Sequence, residues 1–249
     1  TGDSFQYQSP DNVEASADLA RQALGSLPED TRIRGRLELE KQIPISAGMG
    51  GGSSDAALAL IVAHKDRDAV KLERYAASLG SDVPFFLTGG TALATGTGTT
   101  LEQLPDQHHW CVVLVPDVNI DSKTRALYQS LDPNDFSDGN EVREIASRLR
   151  VGQAITSPPP NAFARLLMSY PQVKFAWLAM ERAGAPWVSI SGAGPSMYTL
   201  VQTFEQARSI HTRLCGSHAA FIVRTLPANV HSNGAAKIAA AMAGSDRSR

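Results

Sequence analysis

The chain has 249 residues, enough to bury a sizeable core without a disulfide or a structural metal. With 43 % hydrophobic and 19 % charged residues, it lies far from the composition of disordered chains. A formal charge of -2, mixed in sign and without a basic block, gives no electrostatic reason to expect nucleic acid or a membrane surface as partner, so a small-molecule substrate is expected.

Cys111 and Cys215 stand far apart in apolar stretches, with no CxxC and no Cys/His ligand spacing, so two buried, reduced thiols are expected. No apolar run reaches the roughly 18 residues of a membrane span. The opening TGDSFQYQSPDN shows no charged segment followed by an apolar one, so the chain as given carries no address. A cytoplasmic location is expected, or the plastid stroma if a transit peptide precedes it.

In chain order, Val13, Ala17, Ala20 and Leu24 fall at i, i+4, i+7 and i+11 and predict a helix over 12–24, started by Pro10 and Asp11. From Ile33 to Ile43 apolar and charged residues alternate, predicting a strand that runs into Pro44. A glycine loop follows, Ser46-Ala47-Gly48-Met49-Gly50-Gly51-Gly52-Ser53-Ser54-Asp55, and then an Ala/Leu-rich helix beginning near Ser53. A second helix is expected over Leu72 to Leu79, with Gly80-Ser81-Asp82-Val83-Pro84 turning out of it into a strand at Phe85-Phe86-Leu87. Gly96-Thr97-Gly98 forms another glycine loop before a connector with Leu101, Leu104 and Pro105.

After Pro105 the pattern changes, which divides the chain into domains 1–105 and 106–249. The second domain reads strand (111–115), helix (122–131), polar loop (132–139), a rigid Ser157-Pro158-Pro159-Pro160 break, helix (173–183) and strand (187–191). A glycine turn (192–195), strand (196–202), helix (204–214) and strand (219–225) complete it. The sequence β…αββαβ is the split βαβ pattern of a ferredoxin-like sandwich. A short Ala-rich helix is expected after Gly234.

Four glycines within five positions before a helix carry a large entropy cost. Their absent Cβ atoms let a ligand approach the backbone, and the helix start offers unpaired N–H groups and a positive dipole end to an anion such as a triphosphate. GxxxxGK[ST] and GxGxxG are both absent. A flexible turn that only lets a helix pack close to a strand is the competing reading. Ser53 and Ser54 are candidates to cap the helix and to face phosphate or Mg²⁺. Asp55 falls in its first turn, where a carboxylate suits the dipole whether or not it meets a metal. Asp82, flanked by Val83, Phe85 and Phe86, sits where partial desolvation would tune a general base, although an Asp that only caps a turn has the same spacing.

The stretch Lys41-x-Ile43-Pro44-x-x-Ala47-Gly48-Met49-Gly50-Gly51-Gly52-Ser53-Ser54-Asp55-Ala56-Ala57 resembles the phosphate-binding signature of the GHMP kinases, named for galactokinase, homoserine, mevalonate and phosphomevalonate kinases. It is most similar to the diphosphocytidyl-methylerythritol kinase branch. Leu79-Gly80-Ser81-Asp82-Val83-Pro84-Phe85-Phe86 resembles that branch's LGADVPFF, in which the Asp is the catalytic carboxylate. Gly96-x-Gly98 resembles its GxGE turn, with Thr99 at the Glu position. Ser191-Gly192-Ala193-Gly194-Pro195-Ser196 resembles the glycine turn of the C-terminal domain.

The resemblance implies an α+β fold, with a ribosomal-protein-S5-domain-2-like N-terminal domain, incomplete here, and a ferredoxin-like C-terminal domain. It implies ATP and Mg²⁺ as cofactors and transfer of phosphate to the 2-hydroxyl of a cytidine-diphosphate-linked polyol, in the non-mevalonate route to isoprenoids, by a monomer or homodimer. ATP contacts are implied for Asn12, Lys41, Pro44, Ala47, Gly48, Met49, Gly50, Gly51, Gly52, Ser53 and Ser54, metal contacts for Ser54 and Asp55, and catalysis for Asp82. Tyr128 matches an aromatic that stacks on the substrate's cytosine, where a core tyrosine at helical spacing is the alternative. Gly192 and Gly194 belong to the turn that closes over substrate. Asn161 matches the Asn of an ND(F/L)E segment whose acidic residues are replaced by Ala162 and Ala164. Family members open with PAK(I/V)NL and GYH segments, which do not occur here, so the sequence is expected to enter after them. Another GHMP kinase, of mevalonate or homoserine type, and a non-catalytic nucleotide-binding module stay open as alternatives.

Overall fold

The computed structural model describes residues 6–8, 13–14, 17–32, 35–64, 68–118, 120, 123–216 and 218–228. Among these, the chain forms two compact units. One comprises residues up to 45, 50–103 and the chain from 226, and the other 46–49 and 104–225. The boundary expected at 105 thus differs in two respects: the segment 46–49 goes with the second unit, and the chain from Leu226 with the first.

In the first unit, β1 (Gln6–Gln8) pairs in parallel with β2 (Arg36–Glu38). The strand expected over 33–43 is only these three residues among those described. Helix α1 (Leu19–Ser26) starts later than expected, because Asp18 is its N-cap. The buried Asp18 carboxylate accepts the Arg21 N–H at 3.1 Å and the Tyr7 hydroxyl at 2.8 Å, and this ties β1 to the helix start. Helix α2 (Gly51–Ala63) buries Ala56, Ala57, Ala59, Leu60, Val62 and Ala63. Apolar residues lie all round it, as expected of a core helix. It meets Ala20, Ala23 and Leu24 of α1, and the two alanines are small enough to let the helices approach closely. Helix α3 (Ala69–Leu79), capped by Asp68, adds Leu72 and Ala76 to this core.

After the turn 81–84 comes a short helix, α4 (Phe85–Thr88), and not the expected strand. The hairpin β3 (Thr91–Thr95) and β4 (Thr100–Leu104) then turns at Gly96 and Gly98, so the expected connector is a strand.

The second unit begins with β5 (Trp110–Val115), followed by α5 (Lys123–Gln129), a 3-10 turn at Pro133–Asp135 and α6 (Asn140–Arg150). Then come α7 (Ala164–Leu167), α8 (Pro171–Arg182), β6 (Ser189–Ile190), β7 (Met197–Val201), α9 (Phe204–Leu214) and β8 (Ala219–Arg224). The strands form one antiparallel sheet in the order β6-β7-β5-β8. With β5 as the first strand of the motif, this is the ferredoxin-like arrangement. Val112, Leu114, Met197 and Val201 face Val173, Met180, Ile210 and Leu214 in its core. Helices α6 and α7 were not anticipated from the sequence. The helix expected after Gly234 lies outside the described residues.

Candidate active site

Gly50, in the left-handed region at φ 68° and ψ 17°, is the N-cap of α2, and no side chain caps this end. The helix therefore starts two residues before Ser53, and neither expected serine cap is made. Ser54 lies inside the helix, with its N–H on Gly50 O at 2.9 Å and its hydroxyl donating to Gly51 O at 2.8 Å. The N–H groups of Gly51, Gly52 and Ser53 stand in the first turn, where a helix has no internal acceptor for them. A Cβ on Gly50 would lie 2.7 Å from the Phe86 ring, and one on Gly51 3.1 Å from Ile43 Cγ2. These glycines let Phe86 and Ile43 pack against the helix start, leaving an amide-lined end suited to an anion. Pro44 is exposed just before the loop.

Lys41 and Asp55 form an ion pair, with side chains only 15 % and 23 % exposed. Ser54 is engaged with Gly51 O and Asp55 with Lys41, so the protein offers Mg²⁺ one hydroxyl oxygen and one paired carboxylate. Among the described residues no group of three His, Cys, Asp or Glu side chains is placed to hold a metal. A metal held mainly by phosphate oxygens fits this donor set, which is the habit of Mg²⁺ in phosphoryl-transfer sites.

Asp82 lies in the turn between α3 and α4 and is exposed, while its neighbour Val83 is completely buried. The desolvation expected of its apolar neighbours is therefore absent. The turn is anchored by Val83, whose N–H donates to Gly80 O at 3.2 Å. Gly98, at φ 95°, lies against it: a Cβ there would be 3.3 Å from Ser81 Cβ. Asn12 lies outside the described residues.

In the second unit, the loop residues Ala47 and Gly48 are gripped by the glycine turn 192–195. The Ser196 N–H donates to Ala47 O at 3.1 Å, and the Ser191 hydroxyl donates to Gly48 O at 2.9 Å. A Cβ on Gly48 would stand 2.4 Å from Gly194 O and 2.5 Å from Ser191 O. Gly192 and Gly194 have φ of 54° and 63°, and a Cβ on Gly192 would approach Gly48 O to 3.2 Å. Met49 lines a cavity of about 360 Å³ with Cys111, Ser191 and Tyr198.

Tyr128, on α5, is 61 % exposed, which excludes the core reading. Its ring meets Phe163 edge-on, centroids 5.0 Å apart. Asn161 accepts the Phe163 N–H at 2.8 Å and donates through Nδ2 to Ile190 O at 3.0 Å and Gly192 O at 2.8 Å. Nothing in the sequence pattern paired Phe163 with Tyr128, or Lys41 with Asp55. Cys111 is buried as expected, but Cys215 is exposed, and both are free thiols. His64 and His109 are buried.

Residues 12–90 match the GHMP kinases N terminal domain. The 4-diphosphocytidyl-2-C-methyl-D-erythritol kinase of Dehalococcoides mccartyi is 38 % identical over 199 residues, covering 76 % of this chain and 70 % of that protein. A crystal structure of 4-(cytidine 5'-diphospho)-2C-methyl-D-erythritol kinase superposes with a TM-score of 0.71 at 30 % identity, covering 90 % of this chain and 82 % of that one. The homoserine kinase of Cytophaga hutchinsonii shares the fold at 17 % identity, with a TM-score of 0.64 over 90 % of this chain and 82 % of its own. A relative this similar over this much of both sequences places the chain in the 4-diphosphocytidyl-2-C-methyl-D-erythritol kinase family of the GHMP kinases.

Proposed function

We propose that this protein transfers the γ-phosphoryl group of ATP to the 2-hydroxyl of 4-diphosphocytidyl-2-C-methyl-D-erythritol. The observation that carries this reading is the uncapped, glycine-opened start of α2, in a chain 38 % identical to a kinase named for that substrate. The N–H groups of Gly51, Gly52 and Ser53 hold phosphate oxygens, and Ala47, Gly48 and Met49 continue the loop. Lys41 adds positive charge whose position Asp55 restrains. Pro44 and Asn12 flank the nucleotide in the N-terminal domain, and the C-terminal domain receives the cytidine end.

Asp82, exposed and therefore accessible to a substrate hydroxyl, accepts its proton. Tyr128 offers an open ring to the cytosine, and the turn bearing Gly192 and Gly194, tied to Gly48 O through the Ser191 hydroxyl, contacts the substrate. Ser54 and, through its carboxylate, Asp55 would hold Mg²⁺ together with the triphosphate, and the ion would supply neutralisation of charge on the phosphate oxygens.

The test is ADP release by the full-length protein with this substrate, with homoserine and with mevalonate. Turnover that depends on the cytidine substrate supports the reading, and turnover indifferent to it refutes it. In an active preparation Asp82→Asn should lower kcat by about 10²- to 10⁴-fold with little change in ATP affinity.

A further inference from the structure

Asn161 has no assigned task in this reaction, yet its side chain joins the two halves of the second unit's contribution to it. Both partners of Nδ2, Ile190 O and Gly192 O, are carbonyl oxygens that can only accept. The partner of Oδ1, the Phe163 N–H, can only donate. A flipped amide would lose all three bonds, so the orientation is determined by its surroundings.

On one side the grip reaches the phosphate loop. The Gly192 carbonyl is fixed by Asn161, Gly192 lies against Gly48 O, and the adjoining Ser191 hydroxyl donates to that same oxygen at 2.9 Å. On the other side it reaches the aromatic platform. Asn161 fixes the backbone of Phe163, whose ring meets Tyr128 at an interplanar angle of 87°. Two residues on, Arg165 makes a two-pronged contact with Asp135, so the segment bearing Phe163 is anchored beyond the ring as well.

We propose that Asn161 is a positioning residue that sets the Tyr128 platform relative to the Gly48 segment of the phosphate loop, with Phe163 as the strut that holds the Tyr128 ring for a pyrimidine base. This rests on the reading above, in which a cytidine diphosphate moiety stacks on Tyr128. Asn161 contacts neither reacting group, and its effect is transmitted through the turn and the strut.

The experiment compares Asn161→Asp and Phe163→Leu with the wild type in the full-length protein. Asn161→Asp keeps the shape but removes both donors and turns a carboxylate toward two carbonyls. Binding of CDP and of ATP is measured by calorimetry in the absence of turnover, together with KM for each substrate and thermal stability. Asn161→Asp is expected to weaken both CDP and ATP binding about tenfold, with KM values moving in parallel. Phe163→Leu retains the backbone bond to Asn161 and is expected to weaken CDP binding about threefold to tenfold while leaving ATP binding unchanged.

If the variants lose stability but bind both nucleotides within twofold of wild type, the residues are structural and the inference falls. Should Asn161→Asp fail to fold, Phe163→Leu still decides: unchanged CDP affinity overturns the strut. A wild type that binds ATP but not CDP refutes the reading of the substrate itself, which separates that failure from failure of the positioning role.

Discussion

A Cβ placed on Gly48 would penetrate two backbone oxygens, Gly194 O at 2.4 Å and Ser191 O at 2.5 Å, at a φ of +79°. Gly96 has a similar φ of +64° but open space around its Cβ position. The pair separates steric from conformational demand. Gly96→Ala should cost about 1 kcal/mol, the price of a left-handed non-glycine residue. Gly48→Ala should cost about 3 kcal/mol or more, because backbone and not a flexible side chain must move. Chemical denaturation of the two variants checks this, and equal losses would show that the glycine turn does not grip the loop. The glycines themselves were legible in the sequence, but the reason for Gly48 was not, since it lies in a turn more than a hundred residues away. The cysteines give a second residue-scale prediction. Burial pushes the Cys111 thiol up to about 12, whereas Cys215 is exposed at the end of α9. A thiol reagent at pH 8 should modify one cysteine quickly and the other only in denaturant. Cys215→Ser should abolish the fast phase, and a persisting fast phase would place Cys111 within reach of solvent.

Elements were legible where local chemistry marks their ends. Helix α9 runs from Phe204 to Leu214 as its sequence indicates, because Thr203 and Gln206 form a capping box, with reciprocal bonds of 3.2 and 3.1 Å. Helix α1 was placed too early because Val13 and Ala17 share its apolar phase, while Asp18 makes the actual cap. Helix α6 was missed although Val142, Ile145, Ala146 and Leu149 fall at i, i+3, i+4 and i+7, a pattern obscured by the charged residues around it. Its neighbourhood carries a pH-sensitive contact. The two-pronged bond from Arg165, helped by the Asp132 N–H, holds the Asp135 carboxyl down to about 2. A carboxyl held below its ordinary value of about 3.9 stabilises the fold above that value, and the contribution is lost as pH falls toward 2. Urea midpoints of wild type and Arg165→Met should therefore differ by a constant amount above about pH 4 and converge between about pH 4 and 2. A difference that persists undiminished at pH 2 would mean that the contact stabilises by packing and not by charge.

The ferredoxin-like half was legible as a whole because its order of elements, β then αββαβ, allows few sheet arrangements, and the observed β6-β7-β5-β8 order is the familiar one. The first half was less legible, since its strands are short, and its core rests on an Ala-rich helix whose apolar residues show no preferred face. Site residues followed the same division. The loop declares itself locally, but the exposure of Asp82 does not follow from its apolar neighbours, because Val83 and Pro84 take the burial in that turn. The two units also have separate buried clusters with no residue in common, one built on α1, α2 and α3 and the other between the sheet and α8 and α9. Leu60 is fully buried in the first and Leu114 in the second. Truncation of either to Ala should cost about 2 to 5 kcal/mol. With separate cores, that loss should be local. Leu114→Ala should speed amide exchange in β5, β7 and β8 while leaving α2 protected, and Leu60→Ala should do the reverse. Uniform loss of protection in either variant would instead mean that the chain unfolds as one cooperative unit, its stability carried by contacts outside these two clusters.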